Sequence, residues 1–167
     1  MKTVLAGLLS LMLATAASAA NGSEVHWKDI VGVITAQGVD NPVSDNIHSG
    51  TFAWSTREGH AKVDLETGQT TFEVKGLVIN GTMFSGTAGP IRFVTGTLVC
   101  NAGDAVTEAA RDTAVVPLSP QGAAHFTGVI DIPNPCTNPL FLIRIANLTP
   151  GANGKWIATG VERTGGN

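Results

Sequence analysis

The chain has 167 residues, a formal charge of −3 and only 14% charged residues. Lys and Arg are nowhere clustered, and this mild acidity excludes a protein that grips nucleic acid through its phosphates. Twenty glycines and no tyrosine, with few long charged side chains, argue against a helical bundle and for a turn-rich β protein.

Residues 1–20, MKTVLAGLLSLMLATAASAA, have the layout of a secretory signal peptide. Lys2 supplies the positive start, Val4 to Leu13 the apolar stretch and Ala17-Ser18-Ala19 a small-residue cleavage site. The apolar stretch is shorter than the roughly 20 residues a membrane helix needs. Removal of this segment leaves residues 21–167 as a single domain of about 147 residues, enough for a sizeable core. The mature chain is expected to be secreted or periplasmic, without a membrane span.

Along the mature chain, period-two alternation dominates. EVHWKDIVGVITAQG (24–38) predicts one or two strands, with Gly32 as a bulge. In GTFAWST (50–56), Phe52 and Trp54 share a core-facing side. HAKVDLETGQTTFEVKGLVIN (60–80) reads as a hairpin: Ala61 and Val63 alternate with Lys62 and Asp64, then Phe72 and Val74 with Glu73 and Lys75. Gly68 supplies the positive φ of its turn. PIRFVTGTLVCN (90–101) is a long strand, and DAVTEAARD (104–112) is the one passage that could turn helical.

TAVVPLSPQGAAHFTGVIDI (113–132) predicts two strands about an SPQG turn, with Pro120 early and Gly122 late. LFLIRIAN and KWIATGVER flank a final loop containing Pro150, Gly151, Asn153 and Gly154. The cadence of about eight or nine strands predicts an all-β fold, an antiparallel β-sandwich of immunoglobulin-like or jelly-roll-like type.

Cys100 and Cys136 are the only cysteines. An even count in an exported chain predicts a disulfide. Closing about 36 residues would stabilise the fold by roughly 3–4 kcal/mol through loss of unfolded-state entropy. The flanking Pro135 and Pro139 hold the backbone extended around Cys136. In the strand that follows, Arg144 lies on the face of Leu140 and Leu142, with Glu162 as its expected partner.

Candidate chemistry is sparse. His26 with Glu24 two residues before it, and His48 with Asp45 three before it, are the candidate metal ligands. His60 reads as part of a turn in REGH (57–60), and His125 as facing solvent. No G-x-S-x-G elbow, zinc-protease spacing or phosphate-loop lysine occurs, so no catalytic residue and no cofactor are assigned. Met83 and Phe84 in the loop NGTMFSGTAGP (80–90) read first as a plug tucked into the end of the core and otherwise as an exposed contact surface; with Arg144 and Trp156 they are the candidate ligand contacts. Asn21, Asn80 and Asn147 begin N-x-S/T sequons.

GHAKVDLETGQTTFEVKGL (59–77) resembles the first hairpin of chordin-type domains, and the resemblance implies a secreted β module. Those domains continue into a histidine-containing segment, whereas VINGTMFSGTAGPIRF (78–93) has none, so no site residue is carried across. The expected role is non-catalytic, binding a protein or carbohydrate or serving the envelope structurally. A loop-sited hydrolase or metal-dependent enzyme and a sugar-binding module on Trp27, Trp54 and Trp156 are the alternatives.

Overall fold

A computed structural model of the chain describes residues 23–146 and 154–161. The segment 1–20, the sequons at Asn21 and Asn147, and Glu162 lie outside the described residues. Within them every regular element is a strand. No described helix is long and apolar enough to cross a membrane.

The first strands are β1 (Glu24–Trp27), β2 (Asp29–Gly32), β3 (Pro42–Ser44), β4 (Ile47–His48) and β5 (Ala53–Ser55). The hairpin strands β6 (Glu58–Asp64) and β7 (Gln69–Lys75) follow, then β8 (Val78–Asn80) and the long β9 (Phe93–Cys100). β10 (Ala109–Asp112), β11 (Val116–Pro117), β12 (Ala124–Val129), β13 (Leu140–Ile145) and β14 (Trp156–Val161) complete the chain. Fourteen strands exceed the eight or nine expected because β3, β4, β5, β8 and β11 are pieces of two or three residues. Pieces so short carry no readable alternation.

Two antiparallel sheets form the sandwich. One has the order β1-β6-β7-β12; the other has the order β10-β9-β13-β14-β2, with β11 also pairing to β9. The chain passes from β1 in the first sheet to β2 in the second through Lys28 alone. Two small pairs, β3–β4 and β5–β8, stand apart from these sheets.

The β6–β7 hairpin shows why the alternation was readable. Ala61, Val63, Phe72 and Val74 are buried, while the residues between them stay partly exposed. Its turn is set locally: Asp64 Oδ1 accepts from the backbone N–H groups of Glu66 (2.9 Å) and Thr67 (3.1 Å). Gly68 then adopts φ 75° and donates to the Asp64 carbonyl at 2.8 Å.

Between the sheets the rings of Trp27 and Phe141 pack with centroids 5.5 Å apart, and Phe72 meets Phe141 at 5.7 Å. Two glycines make room for them. A Cβ on Gly96 would stand 2.7 Å from Phe141 and 2.8 Å from Phe72, and one on Gly160 would stand 2.6 Å from Trp27. Phe126 extends the aromatic layer, stacked on Phe72 at 6.0 Å.

Three local expectations are corrected. Residues 104–112 hold no helix: Asp104 Oδ1 accepts from Val106 N–H at 3.0 Å, forming a turn, and Ala109–Asp112 then pairs with β9. Gly32 is not a bulge. It ends β2 where a side chain would strike the Trp54 backbone. Phe52 does not share the core with Trp54, because β5 begins only at Ala53; Phe52 sits in the preceding bend, 38% exposed.

Cys100 and Cys136 form the expected disulfide, with Cα atoms 4.7 Å apart. Beside it, buried Asn101 ties three segments together. Its Oδ1 accepts from Thr137 N–H (2.9 Å) and Thr137 Oγ1 (2.6 Å), and its Nδ2 donates to the carbonyls of Thr107 (3.0 Å) and Pro135 (3.2 Å). Every side-chain hydrogen-bonding group of this buried amide is thus engaged.

Two outcomes follow for stability. Gly96→Ala should destabilise the fold by about 1–3 kcal/mol through overpacking, seen as a lower urea midpoint with an unchanged slope. Cys136→Ser should cost about 3–4 kcal/mol in the same assay. Native mass spectrometry without reductant should show the disulfide-bonded chain two hydrogens lighter than its dithiol form.

Candidate functional site

The β5–β8 pair and the segments that flank it line a cleft of about 280 Å³. Its walls are Phe52 and Trp54 from the β5 region, Ile79 of β8, Phe84, Pro90 and Ile91 from the following loop, and Ile145 at the end of β13. Ser49, Gly50 and Thr51 contribute to the lining, with Lys155 just ahead of β14. Lys155 is the only charged side chain among these residues. An enclosed apolar surface with a few polar groups is the ordinary form of a small-molecule site.

The loop between β8 and β9 is held by its own hydroxyls. Thr82 Oγ1 accepts from Phe84 N–H at 3.0 Å, Thr87 Oγ1 donates to the Phe84 carbonyl at 2.8 Å, and Ser85 Oγ donates to the Thr82 carbonyl at 2.7 Å. Backbone bonds from Ile79 N–H to the Thr87 carbonyl (2.9 Å) and from Gly86 N–H to the Ile79 carbonyl (3.0 Å) fasten it to β8. Gly89, at φ 59°, lets Ile79 and Phe84 close over the backbone, since a Cβ there would meet Ile79 Cδ1 at 2.8 Å. Phe84 is thereby seated as a wall, 42% exposed, while its neighbour Met83 projects outward at 92%.

Asp40 anchors the segment that supplies Ser49 to the lining. Its Oδ1 accepts from Ser49 N–H (2.9 Å) and faces Ser49 Oγ (3.3 Å); its Oδ2 meets His48 Nδ1 at 2.6 Å. His48 Nε2 is 2.9 Å from the Asp45 carbonyl oxygen. Both ring nitrogens therefore face acceptors, a geometry that suits the imidazolium. The Asp45 carbonyl and then the Asp40 carboxylate raise the His48 pKa above its ordinary 6.5. Partial burial works against ionisation of Asp40. The His48 bond, the charges of His48 and Lys155 and the Ser49 N–H outweigh it and hold the carboxyl below its usual 3.8.

Aspartate, histidine and serine meet here, but not as a hydrolytic triad. Ser49 is fully buried, its Oγ donates to the Gly50 carbonyl at 2.9 Å, and His48 directs no nitrogen at it. The group fixes a loop.

The other residues singled out from sequence have definite places. Glu24 and His26 lie on β1, with the Glu24 carboxylate bonded to both His26 and Lys62. Lys62 first, then His26, lower the Glu24 pKa. Asp45 and His48 belong to the β3–β4 hairpin, where Asp45 offers His48 its carbonyl and Asp40 supplies the carboxylate. Among the described residues no group of three or more His, Cys, Asp or Glu side chains is placed to hold a metal ion.

Arg144 donates from Nε to the Gly154 carbonyl at 2.6 Å and lies 3.5 Å from Asp112, which also accepts from Thr97 Oγ1 at 2.6 Å. Trp156 is buried, and its Nε1 donates to the Asn41 carbonyl at 3.0 Å. Of Met83, Phe84, Arg144 and Trp156, Phe84 alone lines the cleft.

Register creates one grouping that sequence spacing does not show. His60 and His125 stand on either side of Glu73, in three adjacent strands of the first sheet. Glu73 bonds Lys75 at 2.9 Å, and this bond first, with the charges of Lys75 and the two histidines, lowers its pKa. A larger depression, about 750 Å³, runs along 65–68 and 129–136, but it is open and its lining includes the polar Glu66, Thr67, Asp131 and Asn134. The smaller, more enclosed and apolar cleft is the better ligand site. No family model, no curated protein and no solved structure matches the chain.

The Asp40–His48 tie has a defined pH window. The Asp40 contribution is complete above its ordinary value of 3.8 and lost as pH falls through its lowered native pKa. The His48 contribution is complete below 6.5 and lost as pH rises through its raised native pKa. Imidazole resonances followed by NMR should place the His48 midpoint above 6.5. Heating at about pH 6 and pH 8.5 should show a loss of Tm that His48→Gln reduces; an equal loss in the variant would show that the tie does not govern stability.

Proposed function

We propose that the protein is an exported, non-catalytic β-sandwich that binds a small apolar ligand in the cleft between the β3–β5 region and the β8–β9 loop. The carrying observation is the cleft itself: Phe52, Trp54, Ile79, Phe84, Pro90, Ile91 and Ile145 face one enclosed space. An isolated exposed phenylalanine needs no explanation, but two phenylalanines flanking an apolar cavity do. Hydrogen-bonded loops on both sides favour binding, because a preformed wall loses little freedom when a ligand enters.

Export is supported by the signal-like opening of the chain and by the Cys100–Cys136 pair. A carbohydrate reading has less support, since Trp27 and Trp156 are interior rings and offer no stacking platform. A hydrolase reading has less support, since among the described residues Ser49 of the cleft lining and the adjacent His48 are both committed to the loop.

The proposal is tested with 2-naphthylmethanol, a neutral two-ring probe. Saturable binding is expected with Kd of about 0.1–1 mM, with amide shifts centred on Phe52, Trp54, Phe84 and Ile91. Phe84→Ala should weaken it by roughly fivefold or more, in line with about 1 kcal/mol or more of lost aromatic contact. Shifts scattered over the surface, or no saturation by neutral or charged probes, would remove this reading.

A further inference from the structure

We infer that the ligand is a monoanionic amphiphile, with a compact apolar body in the cleft and one carboxylate or similar anionic group paired with Lys155 at its edge. The inference rests on the cleft being the ligand site and adds the chemistry of the occupant.

Volume sets the body. An apolar cavity of about 150 Å³ accepts a single benzene ring. The 280 Å³ found here therefore suits a two-ring system or an alkyl chain of moderate length. The lining sets its character, since aliphatic and aromatic side chains dominate and offer little to the many hydroxyls of a sugar.

Charge sets the head group. Lys155 is the single ionic side chain in the lining. The acid that feels its charge is Asp40, yet both Asp40 oxygens are already engaged, Oδ2 by His48 and Oδ1 by Ser49. Among the described residues the Lys155 ammonium makes no ion pair. The sheet lysines differ: Lys62 is paired with Glu24, and Lys75 with Glu73 at 2.9 Å and Glu58 at 3.4 Å.

Lys62 and Lys75 are thus paired on the sheet, whereas Lys155, the charged residue of the cleft lining, makes no ion pair among the described residues. A carboxylate arriving there would form a charge-assisted bond next to apolar walls, where such bonds are stronger than in open water.

The test compares 2-naphthoate with 2-naphthylmethanol, which differ in the anionic group, and decanoate with decanol as a chain-shaped pair. Each is titrated calorimetrically into the full exported chain at low salt. The expected result is about tenfold tighter binding of the carboxylate. That preference should vanish in Lys155→Met, which keeps the aliphatic stem, survive in Lys155→Arg, and shrink as salt rises.

Melting curves confirm that both variants fold. Equal binding of acid and alcohol, or a preference untouched by Lys155→Met, would overturn the anionic assignment while leaving the apolar cleft as a site. Failure of all four probes to bind would remove the cleft reading and this inference with it.

Discussion

The packing of Trp27, Phe72 and Phe141 against Gly96 and Gly160 is the constraint on which the architecture turns. Three large rings fit between two sheets only where a strand presents no side chain, and each glycine stands beneath a ring at a distance no Cβ could share. Rings in contact at 5.5–5.7 Å bring both sheets into a single hydrophobic core. The alternation of β6 and β7, the register of β13 on β9 and the position of β14 beside β2 are all compatible with that core.

The cleft sits where this order gives way to short elements. Here, pieces of two and three residues replace long ladders, and side-chain hydrogen bonds take over the task of fixing the backbone. Threonine and serine hydroxyls shape one wall, and the Asp40 carboxylate anchors the segment that supplies Ser49. Apolar side chains from five separate stretches are held around a space they do not fill. The proposed binding site thus lies in loops and short pieces carried by the sheets.

What could be read in advance followed physical range. Ala61, Val63, Phe72 and Val74 declared their burial because a strand's two faces alternate along the chain, and Cys100 and Cys136 declared their bond because they had only each other. Interactions set by distant partners were less legible. Asp45 lies nearer His48 in sequence, yet the β3–β4 hairpin presents Asp40 to the imidazole. Phe52 alternates with Trp54, but its strand starts one residue too late to place it in the core. Residues 109–112 have no strong strand pattern and became a strand because the edge of β9 needed a partner. Lys155 carries no signal in the sequence, because its place at the cleft depends on which carboxylates other residues have already taken.

The passage through Lys28 has a consequence for how the molecule comes apart. One continuous segment is the outer strand of both layers, bonded to β6 on one side of the crossing and to β14 on the other. Stripping it from either neighbour loosens the other, so the two layers share a common seam. Such a seam favours opening as one cooperative unit over independent fraying of either layer.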